Sequence, residues 1–140
     1  MITKKTEYAI RAMWELAQHP DTLLTANRIA EAQAIPPKYL PQIVAELVQT
    51  GLLVSARGYR GGLKLQKPAK EISLLSIIEA VQGSMDLFEC QHGPFDCQHL
   101  PGCDLREVYN RAQTALEDVF RDTQLSDLQF GAGVGGIHGK

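Results

Sequence analysis

The order of apolar patterns in the first 65 residues restricts this chain to a small number of folds. Three consecutive segments repeat apolar residues at the spacing of an amphipathic helix, namely residues 6–18, 26–34 and 38–50. Two short apolar segments follow at residues 52–54 and 63–65, and glycines and arginines lie between them. This pattern predicts a β-hairpin with a basic, glycine-rich tip. Three helices followed by such a hairpin are the elements of a winged helix-turn-helix.

Two further helices are predicted after residue 70. Ser73 can cap a helix that continues to Gly83, whereas residues 84–103 lack periodicity and are predicted to form a loop. A final helix over residues 104–123 carries one continuous apolar stripe, made up of Leu105, Val108, Tyr109, Ala112, Ala115, Leu116, Val119 and Phe120. Half of a 140-residue chain is too small to cover such a stripe, so we expect it to pack against a second subunit. The predicted fold class is therefore mainly α, a winged helix-turn-helix with a long C-terminal dimerisation helix.

Charge is distributed unevenly along the chain. Residues 1–70 hold ten Lys and Arg against five Asp and Glu, whereas residues 71–140 hold four against eleven. This asymmetry predicts a DNA-binding domain at residues 1–70. Residues 71–127 then form a second region, which consists of a loop that contains three cysteines and of the dimerisation helix. The last segment, residues 128–140, is rich in glycine, and we expect it to be disordered.

Two classes of protein are not expected from this sequence. No apolar run approaches the roughly 18 residues that span a bilayer, and the N-terminal residues do not resemble a signal peptide. We therefore expect a cytoplasmic protein without a membrane partner. The sequence also contains no phosphate-binding loop, dinucleotide-binding motif or Ser-His-Asp arrangement, so we do not expect an enzyme.

Candidate DNA-binding residues lie on the second and third helices and on the hairpin. In a helix-turn-helix, the N-terminal residues of the second helix of the pair enter the major groove. Lys38, Tyr39 and Gln42 occupy that end, where a glutamine can pair with adenine and the other two can contact phosphate. The wing can approach the sugar-phosphate backbone or the minor groove. The complete predicted set is Arg28, Lys38, Tyr39, Gln42, Ser55, Arg57, Tyr59, Arg60 and Gly61. We expect double-stranded DNA as the partner, and the alternative is a protein-binding winged helix, which should lack a basic wing.

Three cysteines, Cys90, Cys97 and Cys103, fall within fourteen residues. An odd number of cysteines in a reducing compartment argues against a set of disulfides and favours a metal site or reactive thiols. Structural zinc sites usually contain pairs of ligands with two to four residues between them, whereas the two spacers here are six and five residues long. The spacing favours an iron–sulfur cluster, with zinc, a thiol switch and inert cysteines as the alternatives.

Several segments resemble the Rrf family of bacterial winged-helix regulators. The resemblance covers about residues 1–127 and is carried by residues 6–13 of the first helix, residues 35–43 of the third, residues 51–65 of the wing, and the cysteine loop. It implies a homodimeric repressor that binds a palindromic operator. It also implies a 2Fe–2S or 4Fe–4S cluster that senses iron, redox state or nitric oxide. A thiol-switch or small-ligand regulator of the same fold, without a cluster, is the alternative.

The resemblance also bears on the fourth ligand of such a cluster. Some members of the family have a histidine three residues after the last cysteine, but this sequence has Arg106 there, which does not ligate metals. The nitric-oxide sensors of the family instead use a carboxylate on the first helix of the partner subunit, and Glu7 occupies that position. The other candidate ligands are His92, His99 and Asp104.

Overall fold

The computed structural model describes residues 2–86 and 104–130. Its helices are α1 Lys4–Ala17, α2 Ala26–Gln33, α3 Leu40–Gln49, α4 Leu74–Gln82 and α5 Asp104–Asp122. Its strands are β1 Leu53–Ala56 and β2 Gly62–Leu65, and single 3-10 turns occur at Pro37–Tyr39, Ala69–Glu71 and Leu125–Asp127. The mainly helical architecture with one antiparallel hairpin confirms the predicted winged helix-turn-helix. Among the described helices, none is long and apolar enough to cross a bilayer.

Side-chain caps explain where three of the helices begin. The hydroxyl oxygens of Thr3, Thr25 and Ser73 each accept a backbone N–H from the residue three positions later, at 3.1, 3.2 and 3.1 Å. Each bond satisfies an N–H that has no partner within its own helix. Because Thr3 serves as the cap, α1 begins at Lys4, slightly before the start that the apolar pattern predicts.

The turn between α2 and α3 depends on one strained residue and a proline. Ala34 has a φ of 54°, a left-handed conformation that costs a residue with a Cβ roughly 1–2 kcal/mol. Pro37 then opens the 3-10 turn, where the N–H that proline lacks would have no partner anyway. The segment predicted as a helix over residues 38–50 therefore starts as a 3-10 turn and is α-helical from Leu40.

The wing is paired on both sides of its second strand. β1 and β2 are antiparallel, with Leu53 opposite Leu65. Leu63 also exchanges two backbone hydrogen bonds, of 3.0 and 2.8 Å, with Leu24 in the loop before α2. Gly62 permits this close approach, because a Cβ there would lie 2.8 Å from the Leu24 carbonyl oxygen. The hairpin is thereby fixed to the helical part of the domain.

Helix α1 lies at the centre of the hydrophobic core and contacts α2, α4 and β2. Its buried apolar residues are Ala9, Ala12, Met13 and Leu16. On α3 the buried residues are Leu40, Ile43 and Leu47. The apolar repeat of residues 38–50 also predicts burial of Val48, which is wrong. Val48 is 37% exposed, because the helical rotation of about 100° per residue carries it past the edge of the buried face.

The start of α1 is joined to the end of α4 by hydrogen bonds. Thr6 Oγ1 donates to Gln82 Oε1 at 2.6 Å, and the Thr3 N–H donates to the same oxygen at 3.2 Å. Thr6 is fully buried. These bonds fix the N-terminal turn of α1 next to the point where the chain leaves α4.

The apolar stripe of α5 is divided between two environments. Leu116 and Phe120 pack against a small buried cluster formed by Leu75, Ile78 and Met85. The exposed members of the stripe are Leu105, Val108, Ala112, Ala115 and Val119. At about 100° per residue the stripe covers roughly 140° of the helix circumference, which is more than contact with α4 alone can bury. The expectation that the whole stripe faces a second subunit is therefore wrong for Leu116 and Phe120.

After α5 the chain returns to α1. Trp14 Nε1 donates to the Leu128 carbonyl oxygen at 3.2 Å, and the Phe130 ring meets the Trp14 ring edge-on at 5.2 Å. Leu125, just before them, is fully buried. The predicted tail thus begins with two residues that contact α1, and residues 131–140 lie outside the described residues.

Candidate nucleic-acid interface

The beginning of α3 presents three of the predicted DNA-binding side chains. Lys38 and Gln42 are exposed, and Tyr39 is half-buried. Lys38 Nζ lies 5.5 Å from the centroid of the Tyr39 ring, within the range of a cation–π interaction. Gln42 Nε2 donates to Glu46 Oε2 one helical turn further on, at 3.3 Å. The structure therefore brings a cation, a phenol and an amide together at the N-terminal end of α3.

Helix α1 supports this end of α3 through two contacts. The rings of Tyr8 and Tyr39 lie 5.0 Å apart at an interplanar angle of 58°. Lys5 Nζ lies 2.8 Å from Glu46 Oε1. Helix α1 thus contacts this region through one aromatic pair and one ion pair.

The wing presents its predicted DNA-binding side chains to solvent. Ser55, Arg57 and Arg60 are exposed. Tyr59 is 99% exposed, so its whole side chain is available to a partner. Gly61 has a different role within the subunit, because a Cβ there would lie 2.2 Å from the Ala56 carbonyl oxygen. The tight turn itself requires glycine at this position, and contact between Gly61 and DNA stays a prediction.

The two elements that carry most of the predicted DNA-binding residues line one groove. Pro41 and Val44 of α3 and Ser55 and Gly61 of the wing line a cavity of about 330 Å³. Thr25 lines the same cavity from the start of α2. The Thr25 hydroxyl also accepts the backbone N–H of Arg28, an exposed residue of α2. Of the predicted DNA-binding residues, Ser55 and Gly61 line this groove, and α2 and α3 contribute neighbouring residues to it.

Only some of the predicted metal ligands belong to the described residues. Those that lie outside them are Cys90, Cys97, Cys103, His92 and His99. Glu7 is on α1 with a side chain 46% exposed, and its carboxylate oxygens lie 3.4 Å from Arg11 Nε and 3.5 Å from Lys4 Nζ. Asp104 is the exposed first residue of α5. Within residues 2–86 and 104–130, no three His, Cys, Asp or Glu side chains lie close enough to hold a metal ion.

Three further residues, Glu46, Lys5 and Tyr8, lie beside the predicted DNA-binding residues, and the sequence patterns do not identify them. Glu46 follows Gln42 by four positions, a spacing at which side chains meet on a helix, so this contact could have been predicted. Lys5 and Tyr8 carry no such signal, because their partners lie on a different helix. Only the three-dimensional structure shows that they lie beside Glu46 and Tyr39.

Comparison with protein families and curated sequences places the chain among bacterial regulators. The model of the Rrf2 family, described as an iron-dependent transcriptional regulator, matches residues 2–130. The HTH-type transcriptional regulator NsrR of Oceanobacillus iheyensis is 36% identical over 129 residues, which cover 91% of this chain and 88% of NsrR.

Solved structures support the same relationship. The structure of IscR from T. potens matches with a TM-score of 0.73 and 26% identity, covering 91% of this chain and 84% of that one. The structure of CymR, the global cysteine regulator of B. subtilis, matches with a TM-score of 0.77 and 27% identity, covering 91% and 94%. These relatives are regulators and not enzymes. The chain therefore belongs to the Rrf2 family and is a DNA-binding transcriptional regulator.

Proposed function

We propose that the chain acts as a homodimeric repressor whose affinity for DNA is controlled by an iron–sulfur cluster on Cys90, Cys97 and Cys103. The observation that carries this proposal is the set of three cysteines within fourteen residues, in a family described as iron-dependent. Thiolates are soft ligands that suit the iron of a 2Fe–2S or 4Fe–4S cluster. The signals that suit such a site are iron supply, redox state and nitric oxide.

The cysteine segment, residues 87–103, follows a buried contact between Met85 and α5 and ends where α5 begins. Gln113 of α5 is buried, and its Nε2 donates to the Met85 carbonyl oxygen at 2.7 Å. Met85 is buried as well, and α5 begins directly after Cys103. The three-thiolate donor set fits an iron–sulfur cluster carried by the segment that joins α4 to α5 in the sequence. Bound there, a cluster supplies redox-active iron that can also react with nitric oxide.

A series of contacts leads from the end of α4, shortly before the cysteine segment, toward the proposed DNA-binding surface. Gln82, at the end of α4, accepts the hydrogen bond from Thr6 of α1. Two residues later on α1, Tyr8 contacts the Tyr39 ring of the proposed DNA-binding surface. A change in the cysteine segment that shifts α1 would therefore also shift the side chains that start α3. These contacts support control of DNA binding by the cysteine segment.

A second candidate function is regulation through the cysteine thiols, or through a small ligand, without a cluster. The observation that favours it is the similarity to CymR, which is a cysteine regulator. The two candidates differ in a measurable way. A cluster needs iron and all three cysteines, whereas a disulfide switch needs no iron and only two cysteines.

The proposed DNA-binding surface is tested with two variants that should behave differently. Gln42→Ala is expected to weaken binding to the best duplex by roughly 1–3 kcal/mol and to relax the preference at one base position, because it removes a base contact. Arg60→Ala is expected to weaken binding to all duplexes alike and to lower the salt slope by about one, because it removes a phosphate contact. Fluorescence anisotropy over a range of salt concentrations measures both effects.

The duplex for this measurement is a palindrome whose half-sites lie about one helical turn apart, as a two-fold dimer requires. Arg121→Ala is the control, because it removes a positive charge from α5, where Arg121 pairs with Asp118. It should leave affinity and salt slope unchanged. Wild-type affinity and salt slope in both Gln42→Ala and Arg60→Ala would show that the surface is assigned incorrectly.

Glu7 of the partner subunit is the proposed fourth ligand. Three thiolates leave one coordination position open, and Arg106 cannot fill it. Within its own subunit, the Glu7 carboxylate makes only partly exposed ion pairs with Lys4 and Arg11. Pairs of this kind contribute about 0–1 kcal/mol, so Glu7 can exchange them for another partner at little cost.

Visible absorption of the anaerobically purified protein tests this ligand. Wild type is expected to show the charge-transfer bands of an iron–sulfur protein. Glu7→Ala is expected to shift these bands and to shorten their lifetime in air, whereas His92→Ala, His99→Ala and Asp104→Ala should match wild type. A Glu7→Ala protein with the wild-type spectrum, lifetime and DNA response would exclude Glu7 as the ligand.

Mixed dimers show which subunit provides Glu7. One chain carries Glu7→Ala with its cysteines intact, and the other carries Cys97→Ser with Glu7 intact. Under the proposal, the mixed dimer has the wild-type spectrum, because the intact cysteines of one chain meet the intact Glu7 of the other. A shifted spectrum in the mixed dimer would show that Glu7 and the three cysteines of each site come from the same subunit.

A further inference from the structure

The Gln42 amide has a defined orientation on α3. Its Nε2 donates to Glu46 Oε2 at 3.3 Å. A carboxylate accepts hydrogen bonds and cannot donate them, so the amide must turn an N–H toward Glu46 and its Oε1 away. Gln42 is exposed, and its second N–H and its Oε1 are left as a donor and acceptor pair for a partner.

Glu46 is itself held by a residue of the central helix. Lys5 Nζ lies 2.8 Å from Glu46 Oε1, and the two side chains are only 23% and 27% exposed. Glu46 Oε1 is buried, so its charge depends on Lys5 for compensation. Separating the pair would leave an uncompensated charge beneath the surface. Glu46 is therefore a fixed point against which the flexible Gln42 side chain is oriented.

We propose that Glu46, held by Lys5, is a positioning residue that makes Gln42 select adenine over guanine. This inference rests on the proposed function, in which Gln42 contacts a base in the major groove. Adenine presents the N7 acceptor and the N6 amino donor there, which match the second N–H and the Oε1 of Gln42. Guanine presents two acceptors, N7 and O6, so its O6 would face the Oε1 oxygen. A Gln42 amide held in this orientation can therefore form two hydrogen bonds with adenine but only one with guanine.

The isosteric variant Glu46→Gln removes this orientation without removing the side chain. A glutamine at position 46 can donate as well as accept, so Gln42 can present either end of its amide. The preference for adenine over guanine is expected to fall about two- to tenfold, which corresponds to the net value of one hydrogen bond. Affinity for non-specific DNA is expected to stay the same or rise, because a negative charge near the phosphates has been removed.

The measurement is the Kd of the full-length protein for four duplexes that differ only at the base pair where Gln42→Ala loses preference. Lys5→Met is a second variant, which frees Glu46 from its ion pair and is expected to reduce the same preference. Glu71→Gln is the charge-matched control. Glu71 is an exposed carboxylate on the turn after the wing, and its loss should leave the base preference unchanged.

The possible results test the DNA-binding surface and the positioning role of Glu46 separately. An unchanged base preference in Gln42→Ala at every position contradicts the proposed DNA-binding surface itself. Loss of preference in Gln42→Ala, together with the wild-type preference in Glu46→Gln, overturns only the positioning role. An equal fall in affinity for all four duplexes in Glu46→Gln also overturns it, because a purely structural role does not distinguish between bases.

Discussion

Val119→Glu is expected to separate the protein into monomers that bind the palindromic duplex far more weakly than wild type does. Val119 is 61% exposed on α5. It ends a row of exposed apolar residues that alternate in steps of three and four, as in a coiled-coil seam: Leu105, Val108, Ala112, Ala115 and Val119. The two alanines at the centre allow two helices to approach closely. We propose that this seam packs against the same seam of a second subunit.

The expected effect is large because a two-fold dimer receives the substitution twice. A buried charge without a partner costs about 3–5 kcal/mol, so the dimer dissociation constant should rise by several orders of magnitude. Each monomer would contact only one half-site and lose the gain from binding two linked sites, which is about 100-fold or more. Sedimentation velocity measures the first effect, and anisotropy on the palindromic duplex measures the second.

Thr114→Glu is the matched control for this experiment. Thr114 is exposed on the same helix, but it lies away from the seam, so a glutamate there should leave the dimer intact. Leu116→Glu is a different experiment, because Leu116 packs within its own subunit and the variant should destabilise the fold. A folded Val119→Glu protein that sediments as a wild-type dimer would exclude this seam as the interface.

The local features of the fold could be predicted because each depends on neighbouring residues. Thr25 and Ser73 cap helices through bonds to residues only three positions away, and hydroxyl side chains in front of an apolar repeat indicate such caps. The hairpin follows from two short apolar segments around glycines. For Leu40 and Leu47, the periodicity also predicts burial correctly.

The contacts between helices could not be predicted in the same way. Lys5 Nζ of α1 lies 2.8 Å from Glu46 Oε1 of α3, and nothing near Lys5 in the sequence indicates that contact. The division of the apolar stripe of α5 between buried and exposed residues has a similar cause. Leu116 and Val119 have the same apolar character, but only one of them falls on the side that α4 covers. Periodicity gives the width of an apolar stripe, and the neighbours decide how it is shared.

The proposed role of the three cysteines can be tested with serine variants, one cysteine at a time. Cys90→Ser, Cys97→Ser and Cys103→Ser each keep the size and polarity of the side chain while removing a soft thiolate ligand. If the three thiolates hold one cluster, each variant alone is expected to lose nearly all bound iron and visible absorption. DNA affinity should then no longer respond to air or to a chelator in any of the three.

The pattern across the three variants distinguishes the cluster from the alternatives. A disulfide switch joins two thiols, so two of the variants would lose the response to oxidation while the third kept it, and wild type would contain no iron. A zinc site would be lost in each variant, but wild type would contain zinc and show no visible band. Gln98→Ser, which changes a neighbour of Cys97 without removing a thiol, should behave as wild type. Wild-type iron content in any one cysteine variant would contradict the proposal, because a cluster on three thiolates cannot lose one of them and keep its iron unchanged.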